Sequence, residues 1–169
     1  MYPYVLSIDP SGAYNEGQGT TGWVLMDAVV RKVHMLGSIG AFKLSSDVSY
    51  WDAHLKMIED MHKQIPQICL LVEEYLLYAH KTEAQVNSRF ETSQLIGILK
   101  HFAYKNDIPF YMQRAAEVKA RWENDVLLKK HYLVKKKGHF YLTEPDLEIG
   151  RHELDAYRHA IHFCTFYNK

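Results

Sequence analysis

The run Ile68-Cys69-Leu70-Leu71-Val72, passing directly into Glu73-Glu74, constrains the fold more than any other segment of the chain. Five apolar residues without polar alternation describe a short strand covered on both faces, the environment of a central strand in a parallel or mixed sheet. Such a strand needs helices on both sides, and the flanking sequence supplies them. Tyr4 to Ile8 is a second apolar run, stopped by Asp9-Pro10-Ser11-Gly12, whose proline and glycine impose a turn and leave Asp9 at a strand end. Gly22 to Met26 and Val33 to Ile39 read as two further strands joined by a polar link around Asp27, which makes an antiparallel meander.

Asp47 can cap a helix in which Trp51, Leu55, Ile58, Met61 and Ile65 recur at spacings of three and four, ending before Pro66. A second helix is expected over Glu83 to Tyr104, with Leu95, Ile98, Leu99 and Phe102 on one face. A short strand follows over Pro109 to Met112, then a helix over Ala115 to Leu128. Tyr132 to Val134 and Phe140 to Leu142 flank a basic hairpin turn, and a helix from His152 to Phe166 closes the chain. The order of elements demands α/β architecture, a mixed sheet with helices packed on its faces. With 169 residues, 47% of them hydrophobic, and no internal repeat or linker, residues 1–169 are expected to form one domain.

Twenty basic and twenty acidic residues cancel, which argues against a protein that coats nucleic acid through overall charge. Charge is nevertheless concentrated locally: Lys129, Lys130, Lys135, Lys136 and Lys137 fall within eleven residues that contain no acid. That segment reads either as a solvated hairpin or as a grip on a phosphate backbone. Neither a signal peptide nor an apolar stretch of membrane-spanning length is present, so a soluble cytoplasmic protein is expected. Cys69 and Cys164 sit in apolar stretches and read as reduced core residues.

Three acids fall at element ends: Asp9, Glu73 and Asp155. Singly, they also fit a turn former, a solvated strand end and a helix-start residue. Together they share a logic, because in a mixed sheet the first and fourth strands can be parallel neighbours with both carboxylates at one edge. His152 and Asp155, three apart on the last helix, can point at the same spot. Clustered carboxylates repel one another unless a cation holds them ionised, so the set suits hard divalent ions, magnesium or manganese. Two such ions about 4 Å apart serve phosphodiester hydrolysis. Asp9 would bridge both, Glu73 and Asp155 would hold one each or share, and His152 would ligate a metal or pass protons to water.

Rival patterns fit less well. His152-Glu153 does not complete a zinc-hydrolase motif, since the fifth position is Ala156 and His159 and His162 fall at the wrong offsets. An actin- or sugar-kinase-like ATPase begins similarly but needs a second phosphate loop and a second domain. A noncatalytic binding or scaffolding protein that keeps this architecture is disfavoured by the intact set of four residues. His159 and His162 share a helix face with Asp155; His159 either supports the site from behind or, like His162, simply packs or faces solvent.

Several segments now fall into a pattern: SIDPSG, then TTGWVLM, MLGSIG, LVEEY, PFYMQRAAEVK and finally His152-Glu153-Leu154-Asp155-Ala156. Over most of the chain they resemble the RuvC Holliday-junction resolvases, whose strands end in I-D-P-G, L-G-S-G and A-I-E-Q and whose last helix carries D-x-x-D-A or H-x-x-D-A. The resemblance implies an RNase H-like fold with a five-stranded mixed sheet and a metal-binding tetrad of Asp9, Glu73, His152 and Asp155. It implies two Mg2+ ions per site, Mn2+ substituting, and a homodimer that cuts Holliday junctions and other branched DNA symmetrically. DNA contacts are expected from Lys119, Arg121 and the lysine cluster. Leu76 stands where the family carries a wedging aromatic, although a leucine there also suits a core or dimer contact. The loop Ser11 to Thr21 is longer than in the bacterial enzymes, Lys129 to Leu142 replaces a helical segment, and His152 takes a position often held by aspartate. In these respects the chain is similar to small phage-encoded relatives, which act in the cytoplasm of a bacterial host.

Overall fold

The structure is a computed structural model and describes residues 1–12, 14, 17–75 and 90–168 of the 169. β1 (Tyr4–Asp9), β2 (Thr20–Asp27) and β3 (Lys32–Gly40) form the antiparallel meander. β4 (Ile68–Glu74) lies parallel to β1, and β5 (Phe110–Arg114) lies parallel to β4. The order across this five-stranded sheet is β3-β2-β1-β4-β5, so the two acid-bearing strands are adjacent and central.

Ile68 to Val72 are each at most 1% exposed, and burying an aliphatic side chain of this size contributes roughly 1.5–3 kcal/mol. The strand period of two divides them. Cys69 and Leu71 join Val5 in one core, whereas Leu70 and Val72 join Leu6 and Ile8 in the other. α1 (Asp47–Gln64) and α2 (Glu91–Lys105) cover the second of these faces. The first is covered by α3 (Ala115–Lys119), α4 (Asn124–Lys129) and α5 (Arg151–Phe166), with the hairpin β6 (Leu133–Lys136) and β7 (His139–Leu142) packed at its margin through Leu133 and Leu142. Lys137 and Gly138 both take positive φ in the two-residue turn of this hairpin, matching the twist of its strands. Cys69 and Cys164 are free and buried, with burial pushing each thiol up to about 12. Among the described residues no helix is long and apolar enough to cross a membrane.

Local expectations differ from the structure in several places. The α1 cap is Ser46, not Asp47: Ser46 and Ser49 exchange side-chain and backbone hydrogen bonds in a reciprocal capping box, which satisfies two donors at once. The buried stripe of α1 is Tyr50, His54, Ile58 and Met61, one residue ahead of the expected Trp51 and Leu55, which are half-buried. The helix expected over 115–128 is interrupted between α3 and α4. Arg158 takes the Trp122 carbonyl and the Asn124 side chain, while the Trp122 indole N–H donates to His162 Nδ1, so tertiary bonds replace the helical ones. α5 begins at Arg151, which puts Asp155 in its second turn rather than its first. The start of the helix expected from Glu83, like Leu76, lies outside the described residues.

Candidate active site

Asp9 at the end of β1 and Glu73 next to last in β4 lie on adjacent parallel strands, one step beyond the paired residues Ile8 and Val72, and by strand alternation both face α5. The turn after Asp9 is fixed from the meander and from α1. Thr21 Oγ1 accepts from the Ser11 N–H, and the Tyr50 hydroxyl donates to the Ser11 carbonyl at 2.7 Å. α5 reaches this edge because Gly22, the partner of Asp9 on β2, has no side chain. A Cβ there would stand 2.1 Å from the His152 carbonyl carbon. The first turn of α5 thus rests on the sheet and carries His152 Nδ1 to 3.8 Å from Asp9 Oδ2.

One turn on, Asp155 enters the same cluster. Lys119, at the end of α3, places its ammonium between two carboxylates, 3.7 Å from Glu73 Oε1 and 3.6 Å from Asp155 Oδ2. Arg158 donates to Asp155 from the opposite side. His159 Nε2 lies 2.9 Å from Glu73 Oε2. All three acids are 14–17% exposed, so their charges interact with little water between them.

The acids divide the available protons unequally. Burial holds the Asp9 carboxyl above its ordinary range, and the charges of Glu73 and Asp155 push the same way, outweighing the neighbouring His152 and the charge of Lys119. Burial would also raise Glu73, but the hydrogen bond and charge of His159, the charge of Lys119 and a hydrogen bond from Asp9 hold it below its ordinary value. The cluster thus disfavours the charge on Asp9 and favours the charge on Glu73. The Asp9 carboxyl beside it raises the His152 pKa.

Among the described residues no three His, Cys, Asp or Glu side chains are grouped closely enough to hold a metal ion as they stand. The acids are instead spaced around an ammonium. Their chemistry still fits a hard divalent cation: three oxygen donors from three elements repel one another, and Lys119 already holds positive charge in the gap between two of them.

The expected DNA-contact residues are not all brought to this cluster. Arg121 lies over the Phe166 ring near the other end of α5. Lys129 is exposed at the end of α4. Lys130 lines a depression with Val30, Arg31 and Lys32, at the end of the sheet opposite Asp9. In the hairpin, Lys136 is bound by Asp146 at 2.6 Å and His139 by Glu148 at 2.7 Å, so acids from the following segment fold back onto the lysine run. Lys135 lies over the Phe140 ring, and Lys137 is exposed at the turn. Phe140 connects this hairpin to the acids, lining with Lys119, Arg151, Asp155 and Arg158 a depression of about 480 Å³. Sequence reasoning missed Arg158 and Gln113. The spacing of three between Asp155 and Arg158 was a usable signal for the first; no local signal marks the second.

No family model and no curated protein sequence matches the chain. Its fold is similar to that of T. thermophilus RuvC in complex with a Holliday junction substrate, with a TM-score of 0.66 at 13% identity over 94% of this chain and 90% of that one. A second Thermus thermophilus RuvC structure aligns with a TM-score of 0.62, also at 13% identity, over 94% and 91% of the two chains. The five-stranded mixed sheet with helices on both faces is an RNase H-like fold.

Proposed function

We propose that this chain is a divalent-metal-dependent endonuclease that cuts Holliday junctions and related branched DNA. The observation that carries the reading is the meeting of Glu73 and Asp155 at the Lys119 ammonium, with Asp9 near enough to feel all three charges, at the carboxyl ends of two adjacent parallel strands. Open α/β sheets bind their ligands at that end. A carboxylate cluster with cations at its border suits a phosphodiester and a metal better than it suits an anionic or apolar small molecule.

Asp9, Glu73 and Asp155 would hold two Mg2+ ions, or Mn2+ in their place, with His152 as a further ligand or a proton carrier. Bound there, the ions supply the charge that activates a water and stabilises the leaving oxygen in an in-line displacement. The chain's own residues do the rest. Lys119 is 44% exposed and has the freedom to turn from the acids to a phosphate oxygen once other cations neutralise them. His152, 42% exposed and in contact with Asp9, is placed to exchange protons with solvent. Arg158 keeps Asp155 aimed at the cluster. Lys135, Lys137 and the depression beside Phe140 extend the contact along the backbone. A homodimer would put one such site on each of two strands of a four-way junction.

End-labelled four-way junction, fork and linear duplex, each with Mg2+, Mn2+ or chelator, test the reading. Cleavage is expected only of branched DNA and only with metal. Full cleavage by both Asp9→Asn and Asp155→Asn removes the proposed site, and junction binding without cutting by the parent chain leaves a noncatalytic binding protein. A solution mass of one chain at working concentration removes the dimer.

A further inference from the structure

Glu73 and Gln113 are register partners on the adjacent parallel strands β4 and β5, so their side chains leave the sheet side by side toward α5. His159 of α5 spans them, with Nε2 2.9 Å from Glu73 Oε2 and Nδ1 3.1 Å from Gln113 Oε1. The imidazole is 0% exposed, so bulk water does not compete for either nitrogen. A carboxylate only accepts, which directs the Nε2 proton at Glu73, while Gln113 fixes the far end of the ring. Gln113 is itself buried, and among the described residues its amide nitrogen as placed has no partner; turned over, the amide gives that N–H to Nδ1, which leaves the Nε2 proton of a neutral imidazole for Glu73. An apolar residue at this position needs no such partner, so packing alone does not account for the pair. With Oε2 engaged by His159, the other oxygen of Glu73, Oε1, is the one turned to Lys119 and the shared gap.

We infer that His159, braced by Gln113, is the positioning residue for Glu73, holding one carboxylate oxygen from inside the core so that the other faces the divalent-cation site. The inference rests on the metal-dependent reading above. It makes the interior of α5, and not only its solvent-facing first turn, part of the site: His152 approaches Asp9 from outside, whereas His159 approaches Glu73 from beneath. Partners of this kind commonly change metal affinity by roughly 10- to 100-fold when removed.

The test uses the full-length chain and Mn2+ alone as the probe, with bound and free ion counted by electron paramagnetic resonance and with melting temperatures recorded in parallel. His159→Leu is expected to melt at or near the parent temperature and to bind Mn2+ roughly 10- to 100-fold more weakly. His159→Gln, which keeps an N–H donor, should recover most of that loss, and Gln113→Met should lose a smaller part of it. The Mg2+ concentration for half-maximal junction cleavage should shift in the same order. A folded His159→Leu with the parent's Mn2+ affinity overturns the inference. Should that variant fail to fold, parent affinity in a folded Gln113→Met overturns it instead. A parent chain that binds no Mn2+ overturns the metal-dependent reading and this inference together, so the two failures are distinguishable.

Discussion

His54 on α1 and His159 on α5 are both 0% exposed, one beneath each face of the sheet. His54 is a core residue in the ordinary sense. Its Nδ1 lies 2.6 Å from the Tyr50 carbonyl one turn back, its Nε2 has no partner among the described residues, and its ring meets the Tyr50 ring edge-on at 4.5 Å. Burial pushes its pKa down to about 4, so it is neutral near pH 7. His159 has a side-chain amide opposite one ring nitrogen and the Glu73 carboxylate opposite the other. Equal burial thus gives two different residues. The distinction lies in what each helix crosses: α1 lays His54 among apolar neighbours and its own backbone, whereas α5 lays His159 over two polar positions paired across β4 and β5.

The largest effect should separate the two faces outright. Asp9→Asn or Asp155→Asn is expected to lower the single-turnover rate of junction cleavage by on the order of 100- to 1,000-fold, the scale of removing one charged group that acts in a transition state. His54→Leu should leave that rate within about two-fold. A His54→Leu chain that folds but loses cleavage breaks the comparison.

Next in size is the close approach of α5. Gly22→Ala places a methyl group 2.1 Å from the His152 backbone, and overpacking of this kind costs roughly 1–3 kcal/mol. Urea denaturation should show that loss, and cleavage should fall further than stability predicts because the first turn carrying His152 moves off Asp9. Cleavage unchanged in a folded Gly22→Ala would show that the position of His152 is unimportant.

Acid sensitivity sharpens the comparison from the other face. Above pH 6.5 His54 is neutral folded and unfolded, and contributes no pH dependence. Between about 6.5 and 4 the unfolded chain takes up a proton that the folded chain refuses, so stability falls as pH falls, by roughly 3 kcal/mol in all. His54→Leu should remove that part of the decline, seen as a shallower loss of Tm between pH 7 and 4, and should be neutral or stabilising at pH 7 because an unpaired buried nitrogen disappears. An identical decline in both chains assigns the acid sensitivity elsewhere.

The smallest effect concerns the hairpin. Lys135→Ala or Lys137→Ala should reduce the slope of log affinity against log salt by about 1, whereas Lys136→Ala should change it less, because Asp146 already occupies that ammonium. Equal slopes for all three variants would mean that the Lys136–Asp146 pair opens on binding.

Much of this arrangement is legible in the amino-acid sequence. The unbroken Ile68–Val72 run fixed a doubly covered central strand, and the glycine and proline after Asp9 fixed where β1 stops. The errors came where two local solutions were nearly equal. Ser46 and Asp47 are both good caps, and the reciprocal bond with Ser49 selects Ser46. Ala115 to Leu128 has helical composition throughout, yet Arg158 and His162 on α5 draw Trp122 into contacts that a continuous helix does not permit. The lysine run carries no acid, but Asp146 and Glu148 return to it through the chain that follows.

The sequence by itself determined the order of the strands, the doubly covered character of β4, and the location of Asp9 and Glu73 at strand ends, because the period of two and the turn residues are local properties of the backbone. Only the tertiary structure decided which acids meet, that Lys119 lies between two of them, and that His159 reaches Glu73 while His54 reaches the Tyr50 carbonyl and ring. Those facts depend on strand order, on the register that pairs Glu73 with Gln113, and on the Gly22 contact that lets α5 down onto the sheet. Each is set by contacts between residues far apart in the chain, which no local pattern encodes.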